Sequence, residues 1–257
     1  MAENDRDMSE EYFDHDSWNH SPPKLPKASK IVLPGIFGVL PFDGKRNPGS
    51  RSAVSHHVWF TYRTEANQWK LKVGITDSAS EFAVGLEGLL DPETYDIRFQ
   101  PCVVSYYSEE EARNVPYTHD FLITLRNGHR RLVFVRYRAS LKKEKAWRHI
   151  DQIGAATLQQ KIADDMIVVD ADTYTRQRRE NLFRMWKISE QRDPEADEQV
   201  LEAAYRCRTL WFMRDLFPLV SVSQARAFKA CYRLIAQKKL QADWDNVIWE
   251  HSRVWVA

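Results

Sequence analysis

The dipeptide Asn127-Gly128, set between two apolar runs in YTHDFLITLRNGHRRLVFVRYR, constrains the fold of this chain more than any other stretch. It is the strongest short-range signal for a turn between antiparallel strands. Face parity then fixes what the two strands can do together. If Asn127-Gly128 is a two-residue turn, Asp120 pairs with Val135 and Arg136 lies on the opposite face. If the loop is Asn127-Gly128-His129, Arg126 pairs with Arg130 and Asp120 faces Arg136 directly. The second register groups Phe121, Ile123, Leu125, Val133, Val135 and Tyr137 on one apolar face. Asp120, Leu122, Thr124, Leu132, Phe134 and Arg136 share the other. That cleaner segregation makes it the expected register.

Around this hairpin the sequence alternates strand and helix signals. HHVWFTYRTEANQWKLKVGI (56–75) reads as a β-hairpin, and Ser78 then opens a helix with Phe82, Leu86, Leu89 and Leu90 on one stripe. YDIRFQPCVVSYY is a strand interrupted by Pro101, which belongs at an edge or a strand start. Residues 141–165 read as a helix, basic at its beginning, and Ile167–Asp170 as a further strand. The expected class is a mixed α/β sheet flanked by helices. From Asp172 the pattern becomes helical. Thr175 caps a helix bearing Leu182, Phe183 and Trp186, a second helix runs from about Glu195 to Leu216, and Ser223 caps a third with Phe228, Tyr232 and Ile235. With SRVWVA as a closing strand, the outline is winged-helix-like. The expected organisation is an acidic, Pro-rich tail over 1–28, an α/β domain over 29–170 and a small helical domain over 171–257.

Charge is uneven along the chain, although the net value is only +1. The first twenty residues carry seven acids against Arg6, a composition expected to be disordered. Such a segment could mimic DNA and cover a basic surface. Arg130, Arg131, Arg136, Arg138, Lys142, Lys143, Lys145 and Arg148 oppose Glu144 alone. A run of this kind is usually a solvated face, but one that passes from strand into helix without interleaved acids suits a nucleic-acid backbone. Lys45, Arg46 and Arg51, in a Gly- and Pro-rich loop, offer further phosphate contacts. Cys102, Cys207 and Cys231 are far apart and read as reduced core residues rather than a disulfide frame or zinc site. With no apolar h-region at the N-terminus and no membrane-length apolar run, a soluble cytoplasmic protein is expected, nucleoid-associated if it binds DNA.

Two acids have both a structural and a chemical reading. Ser78-x-x-Glu81 is a capping-box spacing, in which Glu81 reaches back to the Ser78 amide. Asp120 opposite Arg136 is a cross-strand ion pair. His119 and His129 have no second ligand at metal spacing and read as surface or strand-end residues.

The order SASEF, LLDPETYDIRFQP, YTHDFLI, LVFVRY resembles the TnsA-type endonucleases of heteromeric transposons, within the restriction-endonuclease-like PD-(D/E)xK nucleases. The resemblance implies a helix-borne carboxylate at Glu81, a Gln-Pro before a strand at Gln100-Pro101, a strand-entering carboxylate at Asp120, and a Glu/Gln-x-Lys pair on the partner strand. It also implies Mg²⁺ or Mn²⁺ on Glu81 and Asp120, with Gln100 and Arg136 beside them. DNA, a DDE-type transposase subunit and an AAA+ regulator are the implied partners. This chain departs from the pattern with Phe134 and Arg136 in place of Glu/Gln and Lys, and with His119 in place of Pro. Arginine steadies phosphate charge but stays protonated and cannot serve as a base. Three functions follow as expectations: a metal-dependent DNA endonuclease, a DNA-binding protein on the same fold without cleavage, or a winged-helix regulator whose α/β half serves oligomerisation.

Overall fold

The computed structural model describes residues 35–46, 57–207 and 212–257, all within one compact unit. The N-terminal tail, Arg51 and residues 208–211 of the expected second C-terminal helix lie outside the described residues. Strand β1 (Val39–Leu40) runs parallel to β3 (Leu71–Thr76), which pairs antiparallel with β2 (Val58–Tyr62), as the hairpin signal predicted. Helix α1 (Ala79–Leu90) follows, then β4 (Thr94–Phe99), β5 (Val103–Ser108), β6 (Arg113–Thr118), β7 (Phe121–Leu125) and β8 (Arg130–Arg136). The segment broken at Pro101 forms two strands in separate sheets: β4 pairs with β7, and β5 with β6. Strand β6 is absent from the sequence reading because Pro116 interrupts its pattern. A two-stranded ribbon tolerates it, since a Pro needs only a place where no ladder donor is required.

Short α2 (Arg138–Leu141) precedes the stretch expected as a helix over 141–165, within which α3 (Glu144–Gln159) is the helix that forms. They carry the chain across to β9 (Asp165–Asp170), which lies parallel to β8. The order β4-β7-β8-β9 thus makes a mixed sheet, and the α/β class holds. One face, with Phe99, Phe121, Val133 and Val135, packs on Ala83, Val84 and Leu86 of α1. On the other, Phe134 packs on Ile150 and Ile153 of α3 and on Val104 and Tyr106 of β5. The parity expected from the sequence is therefore observed.

The register, however, is displaced by two residues from the expected one. Phe121 pairs with Val133 and Thr124 with Arg130, so the loop is Arg126-Asn127-Gly128 and Asp120 falls opposite Phe134. Gly128 closes the loop at φ +86°, the left-handed conformation that glycine adopts without a Cβ penalty.

Beyond a 3₁₀ turn at Ala171–Thr173 come α4 (Arg176–Ser189), α5 (Pro194–Arg206), a 3₁₀ segment at Met213–Leu219 and α6 (Gln224–Ala236). Thr175 and Ser223 cap α4 and α6 as expected. The second helix ends about ten residues early, at Arg206, where Cys207 turns extended. Strands β10 (Leu240–Ala242) and β11 (Val254–Val256) then close an antiparallel ribbon. Packing is continuous across residue 170, because α4 serves two cores. Leu182 and Trp186 join the core under α1, whereas Met185 joins that of α5 and α6. Fully buried Asn181 ties the same helix to the tail by donating to Asn246 O (2.9 Å) and accepting from Ile248 N (2.7 Å). Cys231 is buried and Cys102 and Cys207 are half-buried, all with free thiols. No helix among the described residues is long and apolar enough to cross a membrane.

Helix α1 approaches the sheet closely at Gly85, where an added Cβ would lie 2.7 Å from the Phe99 ring. That ring is locked among Phe60, Tyr62 and Phe121, with centroids 5.0 to 5.3 Å away. Replacing Gly by Ala in a helix gains about 1 kcal/mol of propensity, whereas overpacking a closed core costs about 1–3 kcal/mol. Gly85→Ala is therefore expected to destabilise the protein by roughly 1 kcal/mol net, read as a lower urea midpoint. An unchanged or raised midpoint would show that α1 is not held this tightly.

Candidate functional site

Helix α1 begins at Ser78, whose Oγ accepts from Glu81 N at 3.1 Å. The return half of the capping box goes one residue further back. Glu81 Oε2 accepts from Asp77 N at 2.9 Å rather than from the Ser78 amide. The cap thus fixes the Glu81 carboxyl on the side of the helix that faces the hairpin. Asp120 sits immediately before β7 and is almost fully buried. Its carbonyl accepts from Gln100 N at 2.8 Å and its Oδ2 from Val135 N at 2.9 Å.

Both carboxyls open onto one cleft of about 440 Å³, which is also lined by Arg46, Asp77, Arg136 and Tyr137. Asp120 and Arg136 make no direct ion pair, which corrects the cross-strand pairing expected from sequence. Arg136 is held instead by its surroundings. Nη1 donates to Val135 O at 3.0 Å, Nη2 to Tyr117 Oη at 3.2 Å, and the guanidinium carbon lies 4.3 Å from the Phe134 ring centroid. Phe134 is the platform on which the cation rests.

Burial dominates the electrostatics of the pair. The Glu81 carboxyl is pushed up to about 8, first by burial and then by the Asp120 charge, against the opposing pull of Arg46, the Ser78 contact and Arg136. Asp120 is also raised by burial, opposed by the Val135 amide, Arg136 and Arg46. Two like charges in a shared, poorly hydrated space cannot both form cheaply, so a proton is retained near neutral pH.

Gln100 does not line the cleft. At φ +50° its side chain turns inward, and Nε2 donates to Asp77 Oδ1 at 3.0 Å while its carbonyl accepts from Lys45 N at 2.8 Å. Asp77 also forms an ion pair with Arg46, and its Oδ1 lies 3.1 Å from His57 Nδ1. Sequence reasoning missed Asp77. Its partners lie about twenty to thirty residues away, and only its place beside the Ser78 cap marks it. Tyr117 was missed too, hidden in the unrecognised strand β6.

His119 sits at a strand end, one of its two expected placements, directly after β6, but it is fully buried rather than at the surface, with Nε2 2.9 Å from Thr157 Oγ1 on α3. Burial pushes its imidazole down to about 4, so it is neutral at physiological pH. The basic run also finds counter-charges inside the fold that its own stretch of sequence does not show. Arg131 forks onto Asp165 with contacts of 2.7 and 3.0 Å, and Arg138 Nε reaches Asp170 at 2.7 Å. Arg130 Nη2 lies 4.0 Å from Asp164 Oδ1, and Lys145 meets Glu110 at 2.6 Å. Lys45 and Lys142 are exposed. Lys143 and Arg148, with Lys145, border a second cleft opposite Glu109, Glu110 and Glu111 of the β5–β6 turn.

Among the described residues no group of three or more His, Cys, Asp or Glu converges as a metal site. Glu81 and Asp120 are therefore a two-carboxylate donor set of hard oxygens. Each carboxyl has one oxygen held by a backbone amide, Glu81 Oε2 by Asp77 and Asp120 Oδ2 by Val135. That set suits a cation that keeps most of its own waters, as Mg²⁺ does. No family model matches the chain, and no curated protein matches it.

The raised Glu81 group has a consequence for stability. Its folded value lies above that of the unfolded chain, so the folded state holds a proton that the unfolded chain releases. The associated stability is complete below about pH 4.5 and is lost as pH rises through about 8. Glu81→Gln should flatten that decline, with a difference on the order of 4 kcal/mol between pH 5 and 8.5 in urea unfolding. Parallel profiles for the two proteins would contradict the assignment.

Proposed function

We propose that the protein is a metal-dependent DNA endonuclease of the TnsA type, on a restriction-endonuclease-like α/β core, working within a transposition system. The observation that carries this reading is the convergence of Glu81, from the first turn of α1, and Asp120, from the start of β7, in one cleft with two guanidinium groups. The resemblance in sequence order supports the same pairing of helix and strand carboxylates.

Glu81 and Asp120 would hold Mg²⁺ or Mn²⁺, which when bound polarises the phosphate and lowers the pKa of the attacking water. The chain's own residues do the rest. Arg136, fixed by Val135 O, Tyr117 and Phe134, presents its remaining N–H groups to the charge that builds on a phosphodiester. It cannot take a proton from water, so no residue on β8 fills the role of base. Glu81, pushed up to about 8, holds a proton at neutral pH that a bound cation would displace. The helical segment from α4 onward, with the β10–β11 ribbon, offers a surface for the DDE-type transposase subunit and the AAA+ regulator.

A second reading keeps the fold and DNA binding but not cleavage. The burial of Phe134 against α3, with Arg136 stacked on it, favours this reading. Nicking of supercoiled plasmid with Mg²⁺ or Mn²⁺ separates the two. The endonuclease reading expects open circles from the wild type and a loss on the order of 100-fold in Asp120→Ala. Retarded but uncut plasmid, with Asp120→Ala behaving as wild type, would establish the binding protein and remove the enzyme.

A further inference from the structure

Arg46 lies on a loop that the sequence offers only as a generic basic contact, yet the structure ties it closely to the carboxylate pair. Lys45 N is hydrogen-bonded to Gln100 O at 2.8 Å, which fixes the backbone next to it. The Arg46 guanidinium is paired with Asp77 Oδ2. The other oxygen of Asp77 accepts from Gln100 Nε2 at 3.0 Å and lies 3.1 Å from His57 Nδ1. The amide of the same residue holds Glu81 at 2.9 Å. One aspartate therefore sets the positions of the cation and of the helix carboxylate together.

Surface ion pairs contribute little to stability, so so many contacts on a half-exposed pair call for another account. A guanidinium has five N–H donors in a planar fork that matches phosphate oxygens. Asp77 engages Arg46 through Nη1. Arg136 commits one contact from each Nη to a fixed oxygen and leans on Phe134. Both groups border the same cleft and both act electrostatically on Glu81 and on Asp120. A space of about 440 Å³ admits one phosphate with its adjoining sugars, not a whole duplex.

We propose that Arg46 and Arg136 form a two-guanidinium seat for a single backbone phosphate of nucleic acid, and that Asp77 is the positioning residue that holds Arg46 there. The proposal rests on the nucleic-acid reading of the cleft but not on cleavage. The exposed Lys45 and Lys142 favour a phosphate that belongs to a polyanion over a free one.

The test is binding of a fluorescent single-stranded oligodeoxynucleotide to the full chain in EDTA, over a salt series, with inorganic phosphate as competitor. Arg46→Gln should weaken binding about 10-fold and reduce the salt slope by about 1, as expected for one lost phosphate contact. Arg46→Lys should recover charge but not the fork and fall between. Asp77→Asn should show part of the Arg46→Gln effect, and the double variant no more than Arg46→Gln alone. An unchanged affinity and slope in Arg46→Gln overturns the seat. A thermal destabilisation of Asp77→Asn with no change in slope overturns its positioning role. Binding of inorganic phosphate that depends on Arg46, without oligonucleotide binding, keeps the seat and removes nucleic acid as its source. No binding of either probe overturns both the seat and the nucleic-acid reading. Binding as expected but without cleavage in Mg²⁺ leaves the seat standing and removes only the endonuclease.

Discussion

Two carboxyl groups that share one cleft cannot both be charged unless something nearby repays the repulsion and the lost hydration. In this protein the repayment is partial. Two backbone amides, those of Asp77 and Val135, hold one oxygen each of Glu81 and Asp120. Two guanidinium groups act from the rim, and neither is engaged in a direct ion pair with the carboxyls. The remaining imbalance appears as a retained proton on Glu81. A site that is left short of positive charge is one that a cation could complete, and the proposed function builds on that.

The geometry that produces this cleft comes from elements far apart in sequence. The Ser78 cap sets where α1 begins, and the close contact at Gly85 sets how near it lies to β4 and β7. The hairpin places Asp120 at the mouth of the sheet, and the Gln100 amide secures its carbonyl from the neighbouring strand end. Asp77 then joins the loop of Arg46 to the helix. The aromatic platform of Phe134 and Tyr117 performs for Arg136 what a hydrogen-bonding acid would do for a lysine: it limits where the charge can go.

Much of this was legible in the sequence. The Asn127-Gly128 turn, the alternation of the two strands, the Ser78, Thr175 and Ser223 caps and the α/β class all follow from local chemistry that the tertiary structure leaves intact. The register was misplaced for an identifiable reason. A three-residue loop puts its left-handed residue last, so Gly128 should have closed the loop rather than stood in its middle. Parity survives a shift of two residues, which is why the faces were right while the opposite partner of Asp120 was wrong. Other features had no local signal. The counter-charges of the basic run come from the ends of β9 and from the β5–β6 turn, and only the parallel pairing of β8 with β9 brings Asp165 to Arg131 and Asp170 to Arg138. His119 is polar and sits at a strand end, yet Thr157 on α3 gives it a partner inside the core. Strand β6 was concealed by Pro116, and with it Tyr117.

The central claim is that Glu81 and Asp120 open onto one cleft, where burial and the Asp120 charge together hold a proton on Glu81. The most direct measurement is a carbon-13 NMR titration of the side-chain carboxyl of Glu81 in the wild type and in Asp120→Asn. The account predicts a midpoint near 8 in the wild type and a clear fall when the neighbouring charge is removed. A midpoint in the ordinary glutamate range, or one that does not respond to Asp120→Asn, would contradict it.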